Sequence, residues 1–168
     1  MSAVISDCGR YRYRLERDIT GRRGLTALVG AVIMVNPSTA GPVEDDATIR
    51  KLRGFSRAFG WDRLIVGNLF AYRATDVREL GKVDHPVGLD NDEHLHRIMR
   101  EADEVVFAWG PVAKQPKRWR GRFKQVLEIA ANTRTEPKSI GPVAKCGHPK
   151  HPLMLPYSLT LQPWSPPA

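Results

Sequence analysis

The stretch VIMVNPSTAGPVEDDATIRKL, residues 32–52, decides the fold class of this chain. It opens within an almost entirely apolar run that covers residues 26–35. A strand that is apolar on both faces is typical of the centre of a sheet that is covered on both sides. Asp46 is a good N-cap for a helix that begins near Ala47 and ends at Gly60. The stretch therefore predicts a buried strand, a polar loop and a helix in succession.

The alternation of strand and helix continues along the chain. Residues 63–70 and 104–110 predict two further buried strands, and residues 90–102 predict a helix between them. A third helix is predicted over residues 117–131. Its basic face is formed by Lys117, Arg118, Arg120, Arg122 and Lys124. These elements predict an α/β fold, a three-layer sandwich with a central, mostly parallel sheet.

The length of 168 residues fits a single domain, residues 1–168. We expect its core at about residues 10–157 and a proline-rich tail at residues 158–168. Residues 11–19 alternate large and charged side chains, and we expect them to form a hairpin with the strand at residues 26–35. The sequence leaves the oligomeric state open.

The chain carries no apolar stretch long enough to cross a bilayer, which takes about 20 residues. Its first residues lack the apolar region of a signal peptide. We therefore expect a cytoplasmic protein without membrane contact.

The net charge of +8 favours acidic partners such as nucleic acid or a nucleotide. The basic face of the third helix is equally typical of an ordinary solvated surface. Glycine-rich phosphate loops and the G-x-S-x-G turn are missing from the sequence. Cys146, His148 and His151 lack the paired spacing of a zinc site, so we expect neither a metal nor a cofactor.

Polar and aromatic residues gather after each predicted strand, and parallel strands place ligands at their carboxyl ends. If the sheet is parallel, these residues line one pocket. The candidates are Asn36, Ser38, Thr39 and Asp45 after the first strand, Asn68, Phe70, Tyr72 and Arg73 after the second, Trp109 after the third, and His148 and His151 in a late loop.

The residue types suggest roles, each of which has a structural alternative. The amide of Asn68 can read a ligand's polar edge or satisfy loop backbone. Asp46 is the better helix cap, which leaves Asp45 as the candidate general base. Proline follows both His148 and His151 and stiffens the loop. Imidazole can serve there as an acid, a base or an anion contact, or simply bond to loop carbonyls.

Five motifs resemble one family of proteins. They are MVNPSTAGPVEDDATIRKLRGFSRAFGW, NLFAYRATD, GLDNDEHL, AWG and GHPKHPLMLP, in that order along roughly residues 10–164. On these motifs the chain is identified as a member of domain-of-unknown-function family 1643. The family name implies no activity.

The order of motifs is also similar to that of the uracil-DNA glycosylase superfamily. Both have a proline-containing polar loop after the first core strand, an Asn that ends a later strand, and a late His-Pro loop. The resemblance implies an α/β fold of that superfamily and cleavage of an N-glycosidic bond to a nucleobase. It implies that Asn36 and its loop hold the attacking water, that Asn68 reads the base and that His148 steadies the departing base. Phe70 or Tyr72 would stack on the base.

Two other functions stay open at this point. One is a non-catalytic module that binds a phosphorylated small molecule through Ser38, Thr39, Arg73 and His151. The other is a domain that binds a protein partner, in which the polar strand ends are structural.

Overall fold

A seven-stranded mixed sheet forms the centre of the protein in the computed structural model, which describes residues 2–39 and 44–167. The strands are β1 (Ser2–Ile5), β2 (Arg12–Asp18), β3 (Val29–Met34), β4 (Arg63–Asn68), β5 (Glu104–Phe107), β6 (Lys138–Ile140) and β7 (Leu161–Pro163). Their order across the sheet is β1-β2-β4-β3-β5-β6-β7. The α-helices are α1 (Ala47–Ala58), α2 (Asn91–Glu101) and α3 (Arg122–Asn132). Four 3-10 helices cover Val77–Lys82, Val112–Lys114, Lys117–Trp119 and Pro152–Met154.

The sheet is not mostly parallel, so this part of the prediction is wrong. The four middle strands β4, β3, β5 and β6 run parallel to one another. The outer pairs β1–β2, β2–β4 and β6–β7 are antiparallel. The parallel strands are joined by helical crossovers, which the sequence pattern reveals. The flanking strands come from the two ends of the chain and add to the edges without such a crossover.

The predicted hairpin between the first strand and β3 is also wrong. β2 pairs with β4, with Leu15 opposite Val66, and β3 lies between β4 and β5. Every residue of β3 is buried, whereas β2 alternates between buried and partly buried residues. A strand that is apolar on both faces buries the most apolar surface when it lies in the centre of the sheet. This position leaves no edge of β3 free for β2.

The helices cover both faces of the sheet. On one face, Val32 and Met34 of β3 pack with Leu52 and Phe55 of α1. On the other face, Ile33 packs in a cluster with residues of α2 and α3, among them Leu95, Ile98 and Val126. Successive residues of a strand point to opposite faces, which explains why the whole of β3 is apolar.

The third helix begins later than the prediction of residues 117–131. Lys117–Trp119 form a 3-10 turn, and α3 starts at Arg122 after Gly121. Glycine is a weak helix former, which accounts for a break at this point. Arg122 is buried and not part of a solvated face, because its guanidinium pairs with Asp92 and donates to the Leu69 carbonyl.

The C-terminal segment adds the last strand to the sheet. β7 pairs with β6, and Trp164 is buried against Phe107 and Trp109. Cys8 and Cys146 are both free and exposed. Among the described residues, none of the helices combines the length and the apolar character that crossing a bilayer requires.

Candidate functional site

A cavity of about 750 Å³ lies at the carboxyl ends of β3, β4 and β5. These strands are parallel neighbours, so the residues that follow them reach the same edge of the sheet. Five of the predicted residues line the cavity: Asn36, Ser38, Asn68, Trp109 and His151. Segments that are far apart in sequence therefore meet at one place.

The loop after β3 forms one wall of the cavity. Asn36 donates through Nδ2 to the carbonyls of Pro37, at 3.1 Å, and Ala74, at 2.8 Å, which fixes the loop against the segment after β4. The Ser38 hydroxyl is buried without a hydrogen-bond partner in residues 2–39 and 44–167. Thr39 does not line the cavity; its hydroxyl meets that of Thr75 at 3.1 Å.

Asn68 ends β4 and is only 3% exposed, and it lines the cavity. Two side chains from the first residues of α2 and α3 bind the backbone around Asn68. Asn91 of α2 donates to the carbonyls of Asn68 and Leu69, at 3.0 and 3.2 Å. Arg122 of α3 donates to the Leu69 carbonyl at 2.9 Å. The sheet and both helices thus fix the position from which the Asn68 amide faces the cavity.

Trp109 follows β5, is 2% exposed and is one of the residues that line the cavity, while its ring packs against Phe107, Phe123 and Trp164. Gly110 comes next with φ of +75°, a left-handed conformation that allows the chain to turn away from the strand. The indole N–H of Trp109 points to Nδ1 of His148 at 3.4 Å. Burial lowers the pKa of His148 from its ordinary value of 6.5 and so favours the neutral ring, in which Nδ1 can accept.

The two predicted histidines occupy different places. His148 lies behind Trp109, packed edge-on against Phe123, and does not line the cavity. His151 lines the cavity and is exposed at its rim, where Nδ1 accepts from the Leu153 N–H at 3.3 Å. The shared His-Pro pattern therefore does not give the two rings the same environment.

The two neighbouring acids, Asp45 and Asp46, also differ. Asp46 caps α1, accepting from Ile49 N at 2.8 Å, and lines the cavity. Asp45 does not line it, because Arg17 and Arg53 bind its carboxylate at 2.6 and 2.8 Å. Burial alone would raise the pKa of Asp45, but these two arginines outweigh burial and lower it. Capping and facing the cavity are thus combined in one residue, Asp46.

Phe70, Tyr72 and Arg73 lie outside the cavity. Phe70 is fully buried and packs against Trp119. Tyr72 packs against Tyr11. Arg73 donates to the carbonyls of Gly9 and Thr39, at 3.0 and 2.7 Å, and so ties the N-terminal turn to the loop after β3. These three residues shape the surroundings of the cavity without facing it.

Two buried polar residues that line the cavity, Arg12 and Gln115, are not among the predicted residues. Arg12 of β2 is 4% exposed, and burial together with the nearby charge of Arg73 lowers its pKa to about 10. Gln115 follows the 3-10 helix Val112–Lys114 and is 3% exposed. The alternating pattern of β2 gave no hint for Arg12, because it places this residue on the charged face of the strand, with Arg14 and Glu16. Gln115 lies within a basic run, and the local sequence carries no signal for it.

The residues found at the cavity can exchange hydrogen bonds and hold charge. They include carboxamides, a hydroxyl, a carboxylate, a guanidinium and an imidazole. Within the described ranges, no group of three or more His, Cys, Asp or Glu side chains is placed to hold a metal ion.

Comparison with known proteins gives a family and no closer relative. No curated protein and no solved structure matches the chain. The family described as Protein of unknown function (DUF1643) matches residues 12–153, which is most of the chain. The chain therefore belongs to the DUF1643 family.

Proposed function

We propose that the cavity binds a nucleobase or a nucleotide. The observation that carries this proposal is the meeting of Asn36, Asn68 and Trp109, from three neighbouring strand ends, at one cavity. The Asn68 amide offers a donor and an acceptor that match the edge of a base, and Trp109 adds an aromatic residue to the lining. The volume of about 750 Å³ lies within the usual range for small-ligand sites.

The charges around the cavity support a ligand that carries phosphate. Arg12 places a buried guanidinium at the wall, and Lys114 and His151 also line the cavity. Guanidinium and ammonium groups bind phosphate oxygens through charge-assisted hydrogen bonds. The net charge of +8 would attract such an anion from a distance.

We propose hydrolysis of an N-glycosidic bond as the reaction at this cavity, in line with the motif order shared with the uracil-DNA glycosylase superfamily. Water would bond to C1′ while the bond from C1′ to the base nitrogen breaks. The base would leave with the bonding electron pair, and the proton lost by water would pass to a carboxylate. Asp46 suits this role better than Asp45, because Asp46 faces the cavity and Asp45 is bound by two arginines.

Binding is tested by calorimetry with free bases, nucleosides and nucleotides. We expect Asn68→Ala to weaken binding at least tenfold, while Asn132→Ala, an exposed change at the end of α3, leaves it unchanged. Binding of inorganic phosphate and sugar phosphates without any base preference would replace the proposal with the phosphorylated small molecule. If none of these compounds binds, the nucleobase proposal is wrong.

Catalysis is tested with oligonucleotides that carry uracil, hypoxanthine or other altered bases, followed by alkali to cut abasic sites. The matched variant is Asp46→Asn, since Asn caps helices as well as Asp does and the fold is kept. We expect strand cutting by the wild type and none by Asp46→Asn. Equal cutting by both would exclude Asp46 as the acid–base group, and no cutting by the wild type would leave a binding function alone.

A further inference from the structure

The side chain of Gln115 is buried and has no hydrogen-bond partner in the part of the chain that the structure describes. It is 3% exposed and lines the cavity. Neither Nε2 nor Oε1 has a hydrogen-bond partner among residues 2–39 and 44–167. Buried polar side chains are normally hydrogen-bonded, and an unpaired donor or acceptor destabilises the folded state. A ligand in the cavity is one source of the missing hydrogen bonds, and ordered water is the other.

The backbone of Gln115 is fixed, so the side chain is presented from a defined point. Its N–H donates to the Val112 carbonyl at 3.0 Å, which closes the 3-10 turn. Its carbonyl accepts from Arg120 Nε at 3.2 Å. Pro116 follows and restricts the conformation of Gln115 to the extended region, where the structure has it, with φ of −81° and ψ of 153°. The backbone N–H and carbonyl of Gln115 are therefore hydrogen-bonded, whereas its side-chain amide has no hydrogen bond to any described residue.

We infer that Gln115 determines ligand specificity by pairing with a planar edge that carries a donor beside an acceptor. Its amide would donate from Nε2 and accept at Oε1 in one bidentate contact. A lactam or amidine edge, as in uracil or adenine, has this pattern, whereas a sugar phosphate has no such planar edge. The inference rests on the proposed function, because it names the chemistry of the ligand at the same cavity.

The matched variant for the test is Gln115→Met, which keeps the length of the side chain and removes both polar atoms. In the free protein this change removes a buried unpaired amide, so thermal unfolding should occur at the same or a higher temperature. Calorimetry with uridine and adenosine should show affinity lower by roughly ten- to a hundredfold. The control is Gln162→Met in β7, where the glutamine is exposed, and affinity should not change.

Nucleosides methylated at the donor nitrogen show which hydrogen bond the variant has lost. N3-methyluridine and N6,N6-dimethyladenosine lack the donor of the edge. The wild type should discriminate against them by about tenfold or more, and Gln115→Met should discriminate much less. In the wild-type protein, the Gln115 side-chain amide resonances should shift on addition of the unblocked nucleoside. This last measurement does not depend on the folding of a variant.

The outcomes separate the inference from the function on which it rests. If uridine and adenosine bind but Gln115→Met binds them as tightly as the wild type, the inference is wrong and the proposed function stands. If Gln115→Met unfolds at a clearly lower temperature and keeps its affinity, Gln115 is a structural residue. If neither nucleoside binds the wild type, the inference is wrong, and the calorimetry with free bases and nucleotides decides whether the proposed function stands.

Discussion

The polar groups at the two ends of the parallel strands differ in their hydrogen bonding. At the amino end, where β5 and β6 begin, Glu104 accepts from the indole of buried Trp61 at 2.6 Å and from Lys138 at 2.7 Å. Nearby, Asp103 accepts from the backbone N–H of Val29 at 2.8 Å. These acids are paired with groups of the same molecule, as expected of residues that stabilise a fold.

The carboxyl end holds buried polar atoms that the described residues leave unpaired. Ser38 Oγ and both amide atoms of Gln115 belong to this group, and both residues line the cavity. The acids named at the amino end thus have partners, whereas these three atoms at the carboxyl end have none among the described residues. The difference supports the proposal that a ligand donates or accepts hydrogen bonds at the carboxyl end, where unpaired polar atoms reduce the stability of the free protein.

The largest effect on stability should come from Asp45, which lies near the cavity but has the contacts of a structural acid. Asp45→Asn removes the negative charge beside Arg17, whose side chain is fully buried. A buried cation that loses its counter-charge is strongly unfavourable, so we expect a loss of about 3 kcal/mol. Urea unfolding measures this change.

Asp46→Asn is the neighbouring control for that prediction. Asn keeps the cap on α1 but removes the attraction between the Asp46 carboxylate and buried Arg12, so the free energy of unfolding should fall by clearly less than in Asp45→Asn. If Asp46→Asn lowers the free energy of unfolding more than Asp45→Asn does, the assignment of a structural role to Asp45 and a ligand-binding role to Asp46 is wrong.

A smaller effect is expected from Asn91, which supports the strand end beneath the cavity. Asn91 is fully buried, and its Nδ2 donates to the carbonyls of Asn68 and Leu69. Asn91→Ala leaves the Asn68 carbonyl without that donor and should cost about 2 kcal/mol in the free energy of unfolding. Nucleoside affinity should fall as well, because Asn68 is no longer held in place.

The control for Asn91 is again Asn132→Ala, which removes an exposed amide and should change neither quantity. A loss of stability without a loss of affinity in Asn91→Ala would show that the support of the strand end is unrelated to the cavity.

The sequence predicts the central part of the fold well, because local periodicity determines it. The apolar run at β3 and the helical spacing of Ile49, Leu52 and Phe55 in α1 correspond to the observed elements. The edges of the sheet are different. The pairing of β2 with β4 joins Leu15 to Val66, and no local pattern indicates which strand an outer segment will choose.

The sequence indicates where the cavity lies but only some of the residues that line it. Asn36, Asn68 and Trp109 follow from the rule that ligands lie at the carboxyl ends of parallel strands. Gln115 does not follow from it, since burial of a loop amide depends on packing between distant segments. The partner of Arg122 is Asp92 on another helix, so a helical wheel alone placed this arginine on the wrong face.

The smallest effect is expected at the amino end, from Glu104→Gln. Burial alone would raise the pKa of Glu104, but hydrogen bonds from Lys138 and Trp61 outweigh burial and hold the pKa below its ordinary value of 4.5. The charged carboxylate therefore contributes stability above about pH 4.5, and this contribution is lost as the pH falls through the lowered pKa. At pH 7 the variant should be about 1 kcal/mol less stable than the wild type, and the difference should shrink in acid.

Urea unfolding between pH 3 and pH 7 measures this difference in stability. The control is Glu136→Gln, an exposed change near the same end of the sheet, which should not alter stability. Nucleoside affinity at pH 7 should be the same in Glu104→Gln and the wild type, because Glu104 lies at the far end of β5 from the cavity. A clear loss of affinity would mean that the two ends of the sheet are coupled. The separation between a stabilising end and a ligand-binding end would then not hold.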